Sequence, residues 1–221
     1  MPKLNKDIEP TYGLTSKNEE VVNIITHGLG IPFSIAALVL LVQEGLTQDN
    51  GLYLAAVLVY GLTMFWTYTT STIYHGLYKA QPNRRNKFHL LDHTAIYLFI
   101  AGTYTPIALF VLPGAWSIGI FSGIWFLALS GVVYKTFFLG RFPKLSLIIY
   151  LLMGWLIIVA IKPLLSAASS ELLFWIFAGG ASYSLGTLFF SLKRLKYSHG
   201  IWHLFVLGGT VCHFLGIYWY V

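Results

Sequence analysis

Residues 198–221 read SHGIWHLFVLGGTVCHFLGIYWYV, and the way this stretch is read decides the fold of the whole chain. It contains no Asp, Glu, Lys or Arg, and from His199 to Val221 it is one apolar run. Coiled as a helix, such a run extends about 35 Å, enough to cross the ~30 Å hydrocarbon core of a bilayer. Its first turn carries His199 and His203, four residues apart. In a helix that spacing puts both imidazoles on one face, a turn apart, where a single ion can meet both. The far end, with Tyr218, Trp219 and Tyr220, has the composition of an aromatic belt at a membrane interface.

The composition of the remaining chain agrees with this reading. Of 221 residues, 57% are hydrophobic and only 10% charged, and the mean hydropathy is +0.70. A soluble domain of this length needs far more charged surface. Seven apolar runs, near 24–42, 52–74, 90–112, 116–138, 145–161, 172–192 and 199–221, are long enough, or nearly so, to span a bilayer. The expected fold is an all-α membrane protein, a seven-transmembrane helix bundle. A short tail over residues 1–22 would precede a single domain over 23–221. Pro143 and Pro163 are expected to bracket the short fifth run as breakers, and Pro32 and Pro106 to bend runs one and three. Gly119-x-x-x-Gly123 is expected to let another helix approach run four closely. No short apolar region with a small-residue cleavage site precedes run one, so no removable signal peptide is expected. The single cysteine, Cys212, excludes an intrachain disulfide and a thiolate metal cluster.

The net charge of +6 invites a nucleic-acid reading, but the positions of the basic residues argue otherwise. The tail holds Lys3, Lys6 and Lys17. Lys79, Arg84, Arg85 and Lys87 follow run two; Lys135, Arg141 and Lys144 follow run four; Lys193, Arg194 and Lys196 follow run six. Only Lys162 falls on the opposite side. By the positive-inside rule the N-terminus is expected in the cytoplasm and the C-terminus outside, in a bacterial plasma membrane. The lysines and arginines are then anchors facing anionic headgroups, and no nucleic acid is expected as a partner.

Polar groups inside the apolar runs mark the candidate site. Of eight acidic residues, only Asp92 falls within a run, and an intramembrane carboxylate is a functional hypothesis by default. Asp92 starts run three, His75 ends run two, and His199 and His203 start run seven, so all four share one depth. Ser71, one turn before His75, adds a hydroxyl to that layer. Three imidazoles from two helices plus an exchangeable water make the ligand set of an open zinc site. Asp92 could then hydrogen-bond the water or take its proton. A lone interfacial histidine more commonly bonds a carbonyl or headgroup. His89 and His93, also four apart and flanking Asp92, form a rival pair that spacing alone does not separate from the first. His89 is expected in the headgroup layer. His213, ten residues beyond His203, is about 15 Å away along the helix and suits a helix-to-helix hydrogen bond. His27 would support the site from outside the ligand set or cap the bundle floor. The residues between His199 and His203 are Gly, Ile and Trp, so the His-Glu-x-x-His of soluble zinc proteases is absent.

With these residues placed, the chain resembles the hemolysin III family, the bacterial branch of the progestin and adipoQ receptor superfamily. The resemblance rests on Glu20-x-x-Asn23-x-x-Thr26-His27, Ser71-x-x-x-His75 and Leu91-Asp92-His93-Thr94-Ala95-Ile96. It continues through Gly102-Thr103-Tyr104-Thr105-Pro106 to His199-x-x-x-His203 and His213-Phe214. It implies seven helices with a cytoplasmic N-terminus, and zinc held by His75, His199 and His203 with Asp92 near the metal's water. In the animal branch this site is associated with hydrolysis of ceramide amides; bacterial relatives are linked to haemolysis and membrane-fluidity homeostasis. The tail here is short, and His93 and Thr94 follow Asp92 where those receptors have a tyrosine, so no protein or steroid hormone is expected as a partner.

The leading expectation is a zinc-dependent membrane hydrolase, similar to an alkaline ceramidase. It would cleave an amide or ester of a membrane lipid, with Asp92 and Ser71 as its catalytic side chains and Zn2+ as cofactor. The alternatives are a non-enzymatic sensor of membrane state with a structural zinc, and a cytolytic factor. A channel or transporter is disfavoured because no midplane charges or paired broken repeats accompany Asp92.

Overall fold

Local signals start and stop the helices. In the computed structural model, which describes residues 16–192 and 194–221, Ser16 caps α1 (Lys17–Gly28) through a capping box with Glu19. Asn50 caps α3 (Gly51–Gly76) by accepting from the Leu52 and Tyr53 amides, and Ser169 caps α8 (Ser170–Ser191) through the Leu172 amide. Pro82 and Pro143 open α4 (Pro82–Phe110) and α6 (Pro143–Gly154) at positions where no amide proton is needed. The remaining elements are α2 (Gly30–Thr47), α5 (Ala115–Phe138), α7 (Ile161–Ala167) and α9 (Ser198–Tyr220), with a 3₁₀ turn over Leu156–Ala160. Lys3, Lys6 and the rest of the tail up to residue 15, together with Lys193, lie outside the described residues.

These helices form seven spans long and apolar enough to cross a membrane: Lys17–Thr47, Gly51–Gly76, Pro82–Phe110, Ala115–Phe138, Pro143–Ala167, Ser170–Ser191 and Ser198–Tyr220. The all-α, seven-span fold expected from the hydropathy pattern is therefore what the chain adopts. Outward-facing side chains are large and apolar, among them Phe126, Phe137 and Leu152. Such a surface is stable against lipid tails and unfavourable against water. Sequence neighbours pack as neighbours from α2 through α5, α8 pairs with α9, and α1 closes the ring by touching both α3 and α9. The third span is the most enclosed, 67% of its apolar window being buried against 22–44% for the others. Its residues therefore face other helices on most sides, which is the position a functional carboxylate requires.

Two local expectations need correcting, and a third is met. Pro163 does not end the fifth span; it sits in the first turn of α7, where a missing amide proton costs nothing, and the span continues to Ala167. The break inside that span falls instead at the 3₁₀ turn before Ile161. Gly119 and Gly123 receive no neighbour, since a Cβ built on either meets nothing within 4 Å. Close helix approach occurs elsewhere, notably at Gly200, where a Cβ would lie 2.6 Å from Val22 Cγ1. That glycine is what lets α1 lie against the first turn of α9. Pro32 accounts for the division of the first span: lacking an amide proton, it leaves the Gly28 carbonyl without its helical partner, and α1 gives way to α2 at Leu29.

Candidate metal centre

His75 ends α3, and His199 and His203 occupy the first two turns of α9. The packing of these ends brings one ligand atom from each histidine within 4.8 Å of the others. His75 and His203 are buried and His199 is half-buried. The rings pack edge to face, with centroids 4.9 Å apart for His75 and His199 and 4.5 Å apart for His199 and His203.

The hydrogen bonds around the cluster determine which nitrogens point inward. His75 Nδ1 lies 2.6 Å from the Glu20 carboxylate. A carboxylate can only accept, so Nδ1 carries the proton and Nε2 presents a lone pair. The Thr26 hydroxyl donates to the Val22 carbonyl at 2.8 Å, and its oxygen then accepts from His203 Nδ1 at 3.1 Å. Nε2 of His75 and Nε2 of His203 are both buried without any hydrogen-bond partner. A buried polar atom without a partner costs about 1–3 kcal/mol. Two such lone pairs converging beside a third imidazole fit a divalent cation, whose coordination would satisfy them. The three histidines could thus hold a metal ion, with nitrogen donors of the kind zinc accepts.

Asp92, in the third turn of α4, interacts electrostatically with His75 from the neighbouring helix. Ser71 is buried and approaches the Asp92 carboxylate across the α3–α4 seam. Asp92 and Ser71 thus lie near His75, at the side of the cluster formed by α3 and α4. The rival pair is not part of the three-histidine group: His89 stacks on Tyr74 at 4.9 Å and meets His93 edge to face at 4.5 Å. His213 donates across the helix interface to the Ile176 carbonyl at 3.2 Å, the role its distance from His203 suggests. His27 stacks on His203 with centroids 3.5 Å apart, and neither of its nitrogens is hydrogen-bonded.

A cavity of about 120 Å³ abuts the centre. Asp92, His27 and Trp202 line the end beside the histidines, whereas Tyr104, Gly154 and His213 line the far end. From Asp92 to Tyr104 along α4 is about 18 Å. Most of the remaining wall is apolar, including Phe99, Ile100 and Leu151.

Three residues at this layer lie outside the apolar-run reading. Glu20 belongs by sequence to a polar stretch, yet it is 2% exposed and bonded to His75. Arg85 was expected as a headgroup anchor; it bonds Glu20 at 3.2 Å. Lys135 was expected among the same anchors, but it is 2% exposed in the last turn of α5, within electrostatic reach of Asp92. The readable signal for Glu20 was its spacing: Glu20, Asn23 and His27 recur at i, i+3 and i+7, a polar stripe at helical period.

The sequence model of the haemolysin-III related family matches residues 15–214. Hemolysin-3 of Bacillus cereus is 44% identical over 203 residues, covering 92% of both chains. The hemolysin-3 homolog of Bacillus subtilis (strain 168) is 40% identical over 202 residues, 91% of this chain and 94% of the relative. Human monocyte to macrophage differentiation factor is 28% identical over 207 residues, 92% of this chain and 84% of the relative.

Proposed function

The chain belongs to the haemolysin-III related family, and from that premise we propose that its histidine cluster holds zinc and that the protein hydrolyses an amide or ester bond of a membrane lipid. The observation that carries this reading is the pair of buried, partnerless Nε2 atoms beside a carboxylate at the mouth of an apolar cavity. His75, His199 and His203 would hold the zinc, which would supply Lewis-acid polarisation of the scissile carbonyl and an acidified water at neutral pH. Asp92, the carboxylate beside the cluster, would take a proton from the attacking water and pass it to the leaving amine or alcohol. Ser71 steadies the Asp92 carboxylate from α3, and Lys135 offsets its charge in a poorly solvated site. His27, with both nitrogens available at the cavity wall, hydrogen-bonds the lipid headgroup. The cavity holds the acyl chain beside α4, and its length sets which chains fit. The Lys and Arg distribution supports the cytoplasmic leaflet of a plasma membrane as the place of reaction.

The test is fatty-acid release from defined lipid amides and esters, including ceramides, by purified protein in nanodiscs. Release that is zinc-dependent and abolished by Asp92→Asn is the expected result; wild-type protein that is zinc-loaded yet inert on the whole panel contradicts it. A second reading draws on the convergence of α1, α3 and α9 at the cluster: zinc would staple three helices in a sensor of bilayer state. A membrane-homeostasis phenotype that persists in a zinc-loaded Asp92→Asn strain favours that reading.

A further inference from the structure

The first helix departs from the pattern of the other spans. The buried residues of α1 are Glu20, Asn23, Thr26 and His27, none of them apolar. Burying four polar side chains on one helix face is unfavourable unless each finds a partner. Each lies against a histidine of the cluster. Glu20 accepts from His75 Nδ1 at 2.6 Å, and the Asn23 side-chain amide lies 3.5 Å from the same nitrogen. Thr26 accepts from His203 Nδ1 at 3.1 Å, and His27 stacks on the His203 ring. Glu20 is bonded in turn to Arg85, whose guanidinium also sits 5.5 Å above the Tyr74 ring. The four recur at helical period, so one rigid face presents all of them at once.

We propose that α1 is the orienting element of the metal centre, with Glu20 and Thr26 as positioning residues. By accepting the Nδ1 protons of His75 and His203 they aim both Nε2 lone pairs at one point. The inference rests on the metal reading above and deepens it. A histidine ring bound through one nitrogen only needs its other nitrogen held, or it can rotate and change tautomer. A carboxylate in that place also makes the imidazole a stronger donor to a cation. Arg85, half-buried at the surface end of the pair, partly neutralises Glu20 and so opposes this effect. Removing Glu20's charge therefore weakens metal binding, whereas removing Arg85's charge does not. A purely architectural Glu20–Arg85 ion pair would make both losses act in the same direction.

The test strips the full-length protein of metal and titrates it with Zn2+ against a chromophoric chelator. Parallel titrations with Co2+ read the ligand field from the visible spectrum. Glu20→Gln should bind about 10–100-fold more weakly than wild type, with an altered Co2+ spectrum and partial recovery in Glu20→Asp. Thr26→Val should also weaken binding, and Arg85→Gln should bind at least as tightly as wild type. If Glu20→Gln does not fold, Thr26→Val and Arg85→Gln carry the comparison. Wild-type affinity and spectrum in Glu20→Gln or Thr26→Val, with uptake lost in His75→Ala, would overturn the proposal and leave the metal reading intact. Equal weakening by Glu20→Gln and Arg85→Gln would overturn it as well. A wild-type protein that takes up neither ion removes the metal reading and this proposal with it.

Discussion

At the scale of single residues, holding the ion and using it fall to different side chains. His203 is fully buried, with its Nδ1 engaged by Thr26 and its Nε2 open. His203→Ala should therefore lose metal outright, whereas Asp92→Asn should keep it and lose turnover. Metal analysis and fatty-acid release on the same preparations separate the two effects. The histidines and Asp92 could be singled out in the sequence because polar side chains inside apolar runs are costly and so conspicuous. Glu20 and Thr26 were less visible for the opposite reason. Glu20 precedes the first apolar run, in a polar stretch where one more charge is inconspicuous, and Thr26 is an uncharged hydroxyl at the start of that run; their helical spacing with Asn23 and His27 is what marks an inward face. Lys135 was misplaced because a lysine at the end of an apolar run reads as an anchor, yet its side chain is buried within reach of Asp92.

At the scale of elements, the centre depends on how closely α1 approaches α9. Gly200 permits that approach, since a Cβ there would meet Val22 Cγ1 at 2.6 Å. Gly200→Val should push the helices apart, costing about 1–3 kcal/mol of stability, and loosen Thr26 from His203. The expected outcome is a lower melting temperature together with weaker zinc uptake; an unchanged value of both would contradict this packing. Helix existence was legible from the run lengths and the break of the first span from Pro32, but the break inside the fifth span was not. Pro32 divides the first span because its missing amide proton falls mid-span, whereas Pro163 is harmless in the first turn of α7. Gly119 and Gly123 show that small-residue spacing identifies where helices can meet, not where they do.

At the scale of the whole molecule, the three histidines join the end of α3 to the start of α9, and α1 ties both, so a metal held there would be linked to the fold. Zinc at about 100 times its Kd adds roughly 2.7 kcal/mol to stability when it binds the folded state alone. Thermal unfolding should shift upward with zinc and fall back on chelation, and His199→Ala should show no such shift. The charge pattern predicts that a phosphatase fused after Val221 is active outside the cell while a fluorescent protein fused there stays dark. Whether the histidine cluster is a zinc site is decided by the metal content of purified protein, measured by mass spectrometry against protein concentration. One zinc per chain is expected in wild type and in Asp92→Asn, and none in His75→Ala, His199→Ala or His203→Ala. A wild-type chain without zinc, or histidine variants that retain it in full, would contradict this assignment.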